Sequence, residues 1–224
     1  MLIISESLKN RYPGGLIGAI LLKNATNDKP SQSLEKMKDA LETDLRNQYG
    51  KYSRSDLGLT EPIKTYVDYY KGFKKTYHVL LQLESVVFKN KPIPSVAPLV
   101  EAMFMAELKN HYLTAVHDLD TIKLPIRVEA SLGNERYTLL NGQEKELIRG
   151  DMCMIDGNGI ISSIIYGPDQ RTQVRKNTKN VIFVVYAPPG MNEELLKHHL
   201  SDIHQYVQVV SPDAELELQQ VHRV

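Results

Sequence analysis

The chain has 224 residues, of which 42% are hydrophobic, and its 27 Lys and Arg balance 27 Asp and Glu. These proportions are typical of a globular protein and exclude collagen-like, disordered and disulfide-scaffold classes. Zero net charge removes whole-molecule attraction to nucleic acid, so any RNA contact depends on local basic patches. We expect one domain over residues 1–224. We also expect a cytoplasmic protein that has no membrane contact, since no apolar run approaches the roughly 18 residues of a membrane span and the first residues lack a signal-peptide pattern.

The first quarter of the chain combines short aliphatic runs with one long amphipathic pattern. Leu2–Ser5 and Leu16–Lys23 are aliphatic and predict two short strands. From Ser33 onward, apolar residues recur every three or four positions with charged residues between them. This spacing predicts an amphipathic helix that ends near Tyr49.

Residues 49–78 combine tyrosines with positive charge. They hold six of the twelve tyrosines, and six Lys or Arg against three acids give a local charge of +3. Rings that stack on bases and ammonium groups that contact phosphates would form an RNA surface, with Lys71, Lys74 and Lys75 as candidate contacts. Tyrosines that pack on the core beneath a solvated charged face are the alternative.

The middle of the chain predicts one helix, and the remainder predicts a β-rich half. Residues 94–111 carry an apolar face, and Pro92 and Pro94 stand where a helix start tolerates proline. Short apolar runs between turn signals then predict strands near residues 126–130, 136–140, 152–155, 160–166 and 181–186. Asn192 is placed to cap a final helix, and a weak strand pattern follows near residues 215–221.

Several common catalytic and metal-binding patterns are missing from the sequence. It contains no glycine-rich phosphate loop, no Gly-x-Ser-x-Gly elbow and no cysteine pair. His199 and His204 are five residues apart, whereas two metal ligands on one helix face need a spacing of four. We therefore predict no metal site and no cofactor.

Three polar groups remain as candidates for chemistry. His117 beside Asp118 is suited to act as a general base or to hold a ribose hydroxyl; the alternative is a turn in which Asp118 and Asp120 accept backbone N–H groups. Ser162 and Ser163 lie in an apolar strand, so one hydroxyl points inward, either lining a pocket or bonding to a carbonyl group. The third group, in a polar segment suited either to phosphate contact or to an ordinary loop, contains Arg171, Arg175, Lys176 and Lys179.

Short motifs follow one another between residues 85 and 190. They include Ile93–Val96, the Asp-Leu-Asp turn at 118–120, Leu140–Gly142, the Gly150-Asp151 turn and Thr178–Val181. In order and spacing they resemble the B3/B4 domain of the phenylalanyl-tRNA synthetase β subunit, here in a free-standing form. The resemblance implies a three-layer α+β domain with a β-rich C-terminal half and flanking helices. It also implies hydrolysis of mischarged aminoacyl-tRNA in trans.

Such editing has a physical rationale. A hydrophobic pocket separates amino acids that differ by one methylene by only about 1–3 kcal/mol, so a second, hydrolytic site removes the errors. In the resembled family polar residues recognise the wrong amino acid, but here their positions align with Met103, Phe104, Ala115 and Val184, all apolar. We therefore expect the pocket to accept an apolar or small acyl group.

The expected site residues fall into three sets. The acyl pocket would be lined by Met103, Phe104, Ala115, Ser162, Ser163 and Val184. The terminal adenosine or a water would be positioned by His117 and Asp118. Phosphates would be contacted by Lys71, Lys74, Lys75, Arg171 and Arg175. Hydrolysis would depend on a bound water, the terminal hydroxyl of the tRNA and backbone N–H donors.

Two alternatives remain open at this point. If core packing fills the pocket, the protein is a non-catalytic module that binds tRNA or another protein. If RNA is not needed, it is a small-molecule enzyme that acts on a free amino-acid ester or amide.

Overall fold

A computed structural model describes residues 2–28 and 31–224 as a mixture of helices and mostly antiparallel strands. The helices are α1 (Glu6–Arg11), α2 (Gln32–Tyr49), α3 (Arg54–Leu57), α4 (Ile63–Gly72), α5 (His78–Lys89), α6 (Pro98–Asn110) and α7 (Glu193–Val210). The strands are β1 (Leu2–Ile4), β2 (Leu16–Lys23), β3 (Thr114–Asp118), β4 (Ile126–Ala130), β5 (Arg136–Thr138), β6 (Glu144–Glu146), β7 (Met152–Asp156), β8 (Gly159–Ser163), β9 (Gly167–Pro168), β10 (Val181–Ala187) and β11 (Glu215–Arg223). The predicted α+β class is confirmed.

The strands form two main sheets and one hairpin. The order in the larger sheet is β1-β4-β7-β8-β9, with β1 parallel to β4 and the other pairs antiparallel. The order in the second sheet is β11-β2-β10-β3, and all of its pairs are antiparallel. The hairpin β5-β6 turns at Asn141-Gly142, as the turn signal predicts. No helix among the described residues is both long and apolar enough to cross a membrane.

The four-stranded sheet lies between helix α7 and the five-stranded sheet. Gly18 on β2 faces α7, because a Cβ there would lie 2.5 Å from a methyl carbon of Leu196. Val185 on β10 is its cross-strand partner and shares that face. Side chains alternate along a strand, so Tyr186 points to the opposite face, where its hydroxyl contacts Ser162 of β8. The sheet is thus covered on both faces, and its central strands β2 and β10 are almost entirely buried.

Local signals locate most element ends, with one clear error. Strand β2 has the predicted bounds, and α2 starts where the Ser31 hydroxyl accepts the Leu34 N–H at 3.2 Å. The helix predicted from residue 94 instead begins at Pro98. The residue before a proline is disfavoured in helical conformation, so Pro94 and Pro98 oppose a helix at residues 93 and 97, and Pro98 occupies the first helical position.

The tyrosine-rich segment is a packing element. Five of its six rings are buried, namely Tyr49, Tyr66, Tyr69, Tyr70 and Tyr77. Tyr66 and Tyr77 stack with their ring centroids 4.6 Å apart, and the Tyr66 hydroxyl donates to the Tyr186 carbonyl at 2.6 Å. The hypothesis that these rings stack on RNA bases is therefore wrong for the five buried tyrosines. The hydroxyl groups of Tyr66, Tyr69 and Tyr70 connect α4 to the two sheets and their adjoining turns.

Candidate functional site

A cavity of about 530 Å³ lies between the two sheets, and α5, α6 and the loop at residues 173–176 form its other walls. Its walls are mainly apolar and include Val96, Val100, Met103, Phe104, Leu113, Ala115 and Val116. The volume lies within the range of small-molecule sites, which are typically apolar clefts with a few polar groups.

Helix α6 and strand β3 both contribute to this wall. Val100, Met103, Phe104 and Glu107 recur at intervals of three or four residues and so share the helix face that borders the cavity. Ala115 on β3 lies across from them. The sequence-predicted residues Met103, Phe104, Ala115, Ser163 and Arg175 all line this one cavity.

Two of the predicted pocket residues do not line the cavity. Val184 is fully buried in β10 as the cross-strand partner of Ala115. Ser162 is fully buried as well, and its hydroxyl is hydrogen-bonded to Tyr186. Of the adjacent serines, Ser163 therefore borders the cavity, where its hydroxyl accepts the Tyr166 N–H at 3.0 Å.

His117 is fully buried and lies outside the cavity wall. Thr172 uses its hydroxyl hydrogen to donate to Asp169, so the 2.7 Å contact between the Thr172 hydroxyl and His117 Nδ1 has the imidazole as donor. Burial first, and the positive charge of Arg171 second, lower the pKa of His117 to about 3. The ring is therefore neutral near pH 7, and its buried Nε2 has no hydrogen-bond partner in residues 2–28 and 31–224.

Asp118 belongs to the same buried region and shapes a turn. One of its oxygens accepts the Asp120 N–H at 3.1 Å, and the other accepts the Thr178 hydroxyl at 2.6 Å. The Asp120 carboxylate accepts the side-chain amide of Asn180 at 2.8 Å. Asp118 thereby caps a short 3-10 helix, Leu119–Thr121, and connects it to the loop before β10.

The predicted phosphate contacts differ in their freedom to bind a ligand. Arg171 donates through both terminal nitrogens to Asp156, at 2.9 Å each, so its charge is largely compensated. Arg175 lies exposed at the cavity mouth beside Lys176. The predicted lysines are also exposed, and they are Lys71, Lys74 and Lys75.

The buried carboxyl group of Glu107 is not among the site residues predicted from the sequence. This side chain lines the cavity although only 1% of the residue is exposed. Its Oε1 accepts the Thr114 N–H at 2.8 Å, and Oε2 has no hydrogen bond to the rest of the described chain. Burial raises the pKa of Glu107 to about 8. A charged residue in register with Met103 on an apolar helix face is a sequence signal that could have identified it.

His78 and Gln82, one turn apart on α5, also line the cavity. The Tyr70 hydroxyl donates to the Ile164 carbonyl at 2.7 Å, so its 3.0 Å contact with His78 Nδ1 has the imidazole N–H as donor. Nε2 of His78 is then an acceptor, and burial lowers the pKa of this histidine to about 4. Oε1 of Gln82 is buried and has no hydrogen-bond partner among the described residues. A second cavity of about 380 Å³ adjoins the first and shares His78, Gln82 and Phe104 with it.

Comparisons with known proteins agree with this architecture. Among solved structures, the chain is similar to a crystal structure of an N-terminal fragment of the phenylalanyl-tRNA synthetase beta subunit from Pyrococcus horikoshii, with a TM-score of 0.51. Sequence identity is 14%, and the match covers all of this chain but 54% of that fragment, so this chain spans about half its length and the likeness concerns the fold. No curated protein matches the chain. Residues 64–206 match the B3/4 domain family, and since this is more than half of the sequence, the chain belongs to that family.

Proposed function

We propose that this protein hydrolyses the ester bond of mischarged aminoacyl-tRNA in trans, with the acyl group bound in the 530 Å³ cavity. The observation that carries the proposal is that this cavity is open and bordered by Met103, Phe104 and Ala115. These are three of the four positions that align with the polar editing residues of the resembled domain. An open cavity there favours a binding site over a packed core.

The chemistry of this cavity suits an ester better than a phosphate. Its walls would contact the nonpolar part of an amino-acid side chain and exclude bulk water, which strengthens the remaining polar contacts. Water would attack the ester carbonyl carbon, and the bond from that carbon to the ribose oxygen would break. The products are the free amino acid and a tRNA whose terminal hydroxyl is restored. The adjacent ribose hydroxyl and backbone N–H groups would stabilise the developing oxyanion.

The charge at the mouth of the cavity fits the tRNA end of the substrate. Arg175 and Lys176 are exposed there, and neither is in an ion pair with another described residue. Phosphates of the terminal nucleotides would lie against them while the acyl group enters the cavity. Lys75 and Lys145 form a separate basic pair, with their Nζ atoms 5.6 and 4.4 Å from the centre of the Tyr166 ring.

The test is the loss of labelled amino acid from a panel of correctly and wrongly charged tRNAs. Ala115→Leu would place three more carbons in the cavity and should slow deacylation about tenfold or more, as a loss of 1.4 kcal/mol would do. Ala130→Leu, on half-buried β4 and outside the cavity, is the matched control. If no charged tRNA in the panel is deacylated, the hydrolase proposal is wrong.

A binding module without catalysis is the second candidate, favoured by the apolar residues at the aligned positions. In that case RNA binding at low salt would persist without turnover, and Ala115→Leu would leave the affinity for uncharged tRNA unchanged.

A further inference from the structure

When Glu107 is ionised, three hydrogen-bond acceptors of residues that line the main cavity have no donor from the described chain. They are Oε2 of Glu107, Oε1 of Gln82 and Nε2 of His78, and all three residues line the same space. Polar groups taken out of water cost free energy unless they are hydrogen-bonded, and nearly all such groups in folded proteins have partners. Acceptors that lack a partner and border a cavity indicate that a ligand supplies the donors.

The number of acceptors narrows the chemistry of that ligand. A hydroxyl group has one hydrogen to donate, whereas an ammonium group has three and a guanidinium group has five. The basic residues of the wall, Arg175 and Lys176, lie at the exposed mouth and form no hydrogen bond with Glu107, Gln82 or His78. No described residue therefore provides a cation that would stabilise the ionised form of Glu107.

We infer that the cavity binds a side chain with a long nonpolar stem and a cationic N–H group at its end, held by Glu107 with Gln82 and His78. Methylene groups of the stem would lie against Val100, Met103 and Phe104 of α6. The inference rests on the proposed function for the identity of the ligand as the acyl group of an aminoacyl-tRNA. It replaces the expectation of a wholly apolar acyl group.

The electrostatics of the cavity support a cationic end group. The titratable groups around Glu107 are uncharged near neutral pH, because burial raises the pKa values of Tyr66, Tyr70 and Tyr77 and lowers those of His78 and His199. Burial likewise favours the neutral form of Glu107 when no ligand is bound. A bound cation would reverse this, since a nearby opposite charge stabilises the carboxylate. Ligand binding should accordingly release a proton.

The opposite signs of mouth and interior would also orient the substrate. Arg175 and Lys176 at the mouth attract the phosphates, while the carboxyl group of Glu107 inside accepts the cation. A ligand with both charges can satisfy the two ends of the site in one direction only.

The experiment is calorimetric titration with L-argininamide and L-lysinamide against L-norleucinamide, at pH 7.5. All three probes carry the same α-ammonium and amide groups, so a difference reports the end of the side chain. We expect at least one cationic probe to bind about tenfold more tightly than norleucinamide, because a charge-assisted hydrogen bond is worth more than a neutral one. The cationic probe that binds more tightly shows whether the site prefers a guanidinium or an ammonium group.

Variants assign the preference to named atoms. Glu107→Gln keeps an oxygen for the Thr114 N–H and should abolish the preference for the cationic probe, whereas the exposed Glu215→Gln on β11 should retain it. Gln82→Leu should reduce it by a smaller factor. Equal or tighter binding of norleucinamide would overturn the inference, as would a cationic preference that survives Glu107→Gln.

The outcome is separable from that of the proposed function. A cationic preference without deacylation of any charged tRNA would leave this site in place and reject the hydrolase. Deacylation restricted to apolar acyl groups would support the hydrolase and reject the cationic site.

Discussion

Strand β3 joins two buried polar regions that differ in how their hydrogen bonds are completed. At its C-terminal end, Asp118 accepts the Thr178 hydroxyl, Thr172 donates to Asp169, and Arg171 pairs with Asp156. At its N-terminal end, Thr114 satisfies one oxygen of Glu107, and the other oxygen faces the cavity.

The contrast shows how a structural polar cluster can be told from a binding site. In the first region, donors and acceptors come from the same chain and hold β3 to the loop before β10; His117 Nε2 is the exception. In the second, acceptors accumulate beside empty space. Perturbed pKa values occur in both, so a shift alone does not separate function from structure. The completeness of the hydrogen bonds separates the two kinds of region.

The largest effect should come from breaking the first region. Asp156→Ala removes a carboxylate whose side chain is fully buried and which holds Arg171 through two hydrogen bonds. Urea denaturation should show a loss of about 3 kcal/mol in the free energy of unfolding. The partly exposed Arg127–Glu129 pair is the control, since Glu129→Ala should cost less than about 1 kcal/mol. Equal losses would remove the distinction between the two kinds of ion pair.

His117→Ala is the next test and distinguishes a structural role of this residue from a catalytic one. Its burial and its hydrogen bond to Thr172 predict a loss of about 2 kcal/mol in stability, with binding of the amide probes unchanged. The sequence hypothesis of a catalytic His117 predicts instead that deacylation falls while the protein stays as stable as the wild type. Denaturation and deacylation measured on the same preparation separate these outcomes.

The sequence predicted elements whose signals are local. Strand β2 is a continuous aliphatic run, and the Asn192 side chain caps α7 by accepting the Glu194 and Leu195 N–H groups. The same local patterns do not report burial, which depends on distant partners. His117 meets Thr172 only because β3 and a loop 55 residues away come together in the fold.

The cavity was only partly accessible to sequence reasoning. The family resemblance led to Met103, Phe104 and Ala115, which line it, and also to Val184, which does not. Glu107 lies on the predicted helix, but the pattern of that helix predicts only an apolar face and no buried carboxyl group. His78 and Gln82 were out of reach because the helix that carries them was not predicted.

Glu107→Gln tests the second region through the pH dependence of protein stability. The folded pKa of about 8 lies above the ordinary value of 4.5, so the folded state retains a proton that the unfolded state releases. Wild-type stability should therefore fall as pH rises from about 4.5 to about 8, and Glu107→Gln should remove that part of the decline.

We expect the gain of the variant over wild type to reach about 1 kcal/mol at pH 8, less than full linkage predicts because the carboxyl group borders an open cavity. The neutral buried histidines act in the opposite sense below pH 6.5 and cancel in the difference between the two proteins. Thermal denaturation at pH 5, 6.5 and 8 measures this. A constant difference across that range would place the folded pKa of Glu107 below it.

The smallest expected effect concerns two arginines four residues apart in sequence. Arg171 is held by Asp156, whereas Arg175 forms no ion pair with any other described residue and lies at the cavity mouth. If phosphates of a single-stranded tRNA end meet the mouth, Arg175→Gln should flatten the slope of log affinity against log salt by about 0.7. Arg171→Gln should leave the slope unchanged and lower stability.

Replacing Lys71, Lys74 and Lys75 together by Ala extends the same measurement to the end of α4, where these side chains are exposed. A flattening larger than that of Arg175→Gln would move the main phosphate contact from the mouth to α4. An unchanged slope would make these lysines a solvated face. In the first outcome the terminal nucleotides would approach the cavity from the α4 side, and in the second from the loop at residues 173–176. The salt dependence therefore tells which side of the cavity faces the tRNA.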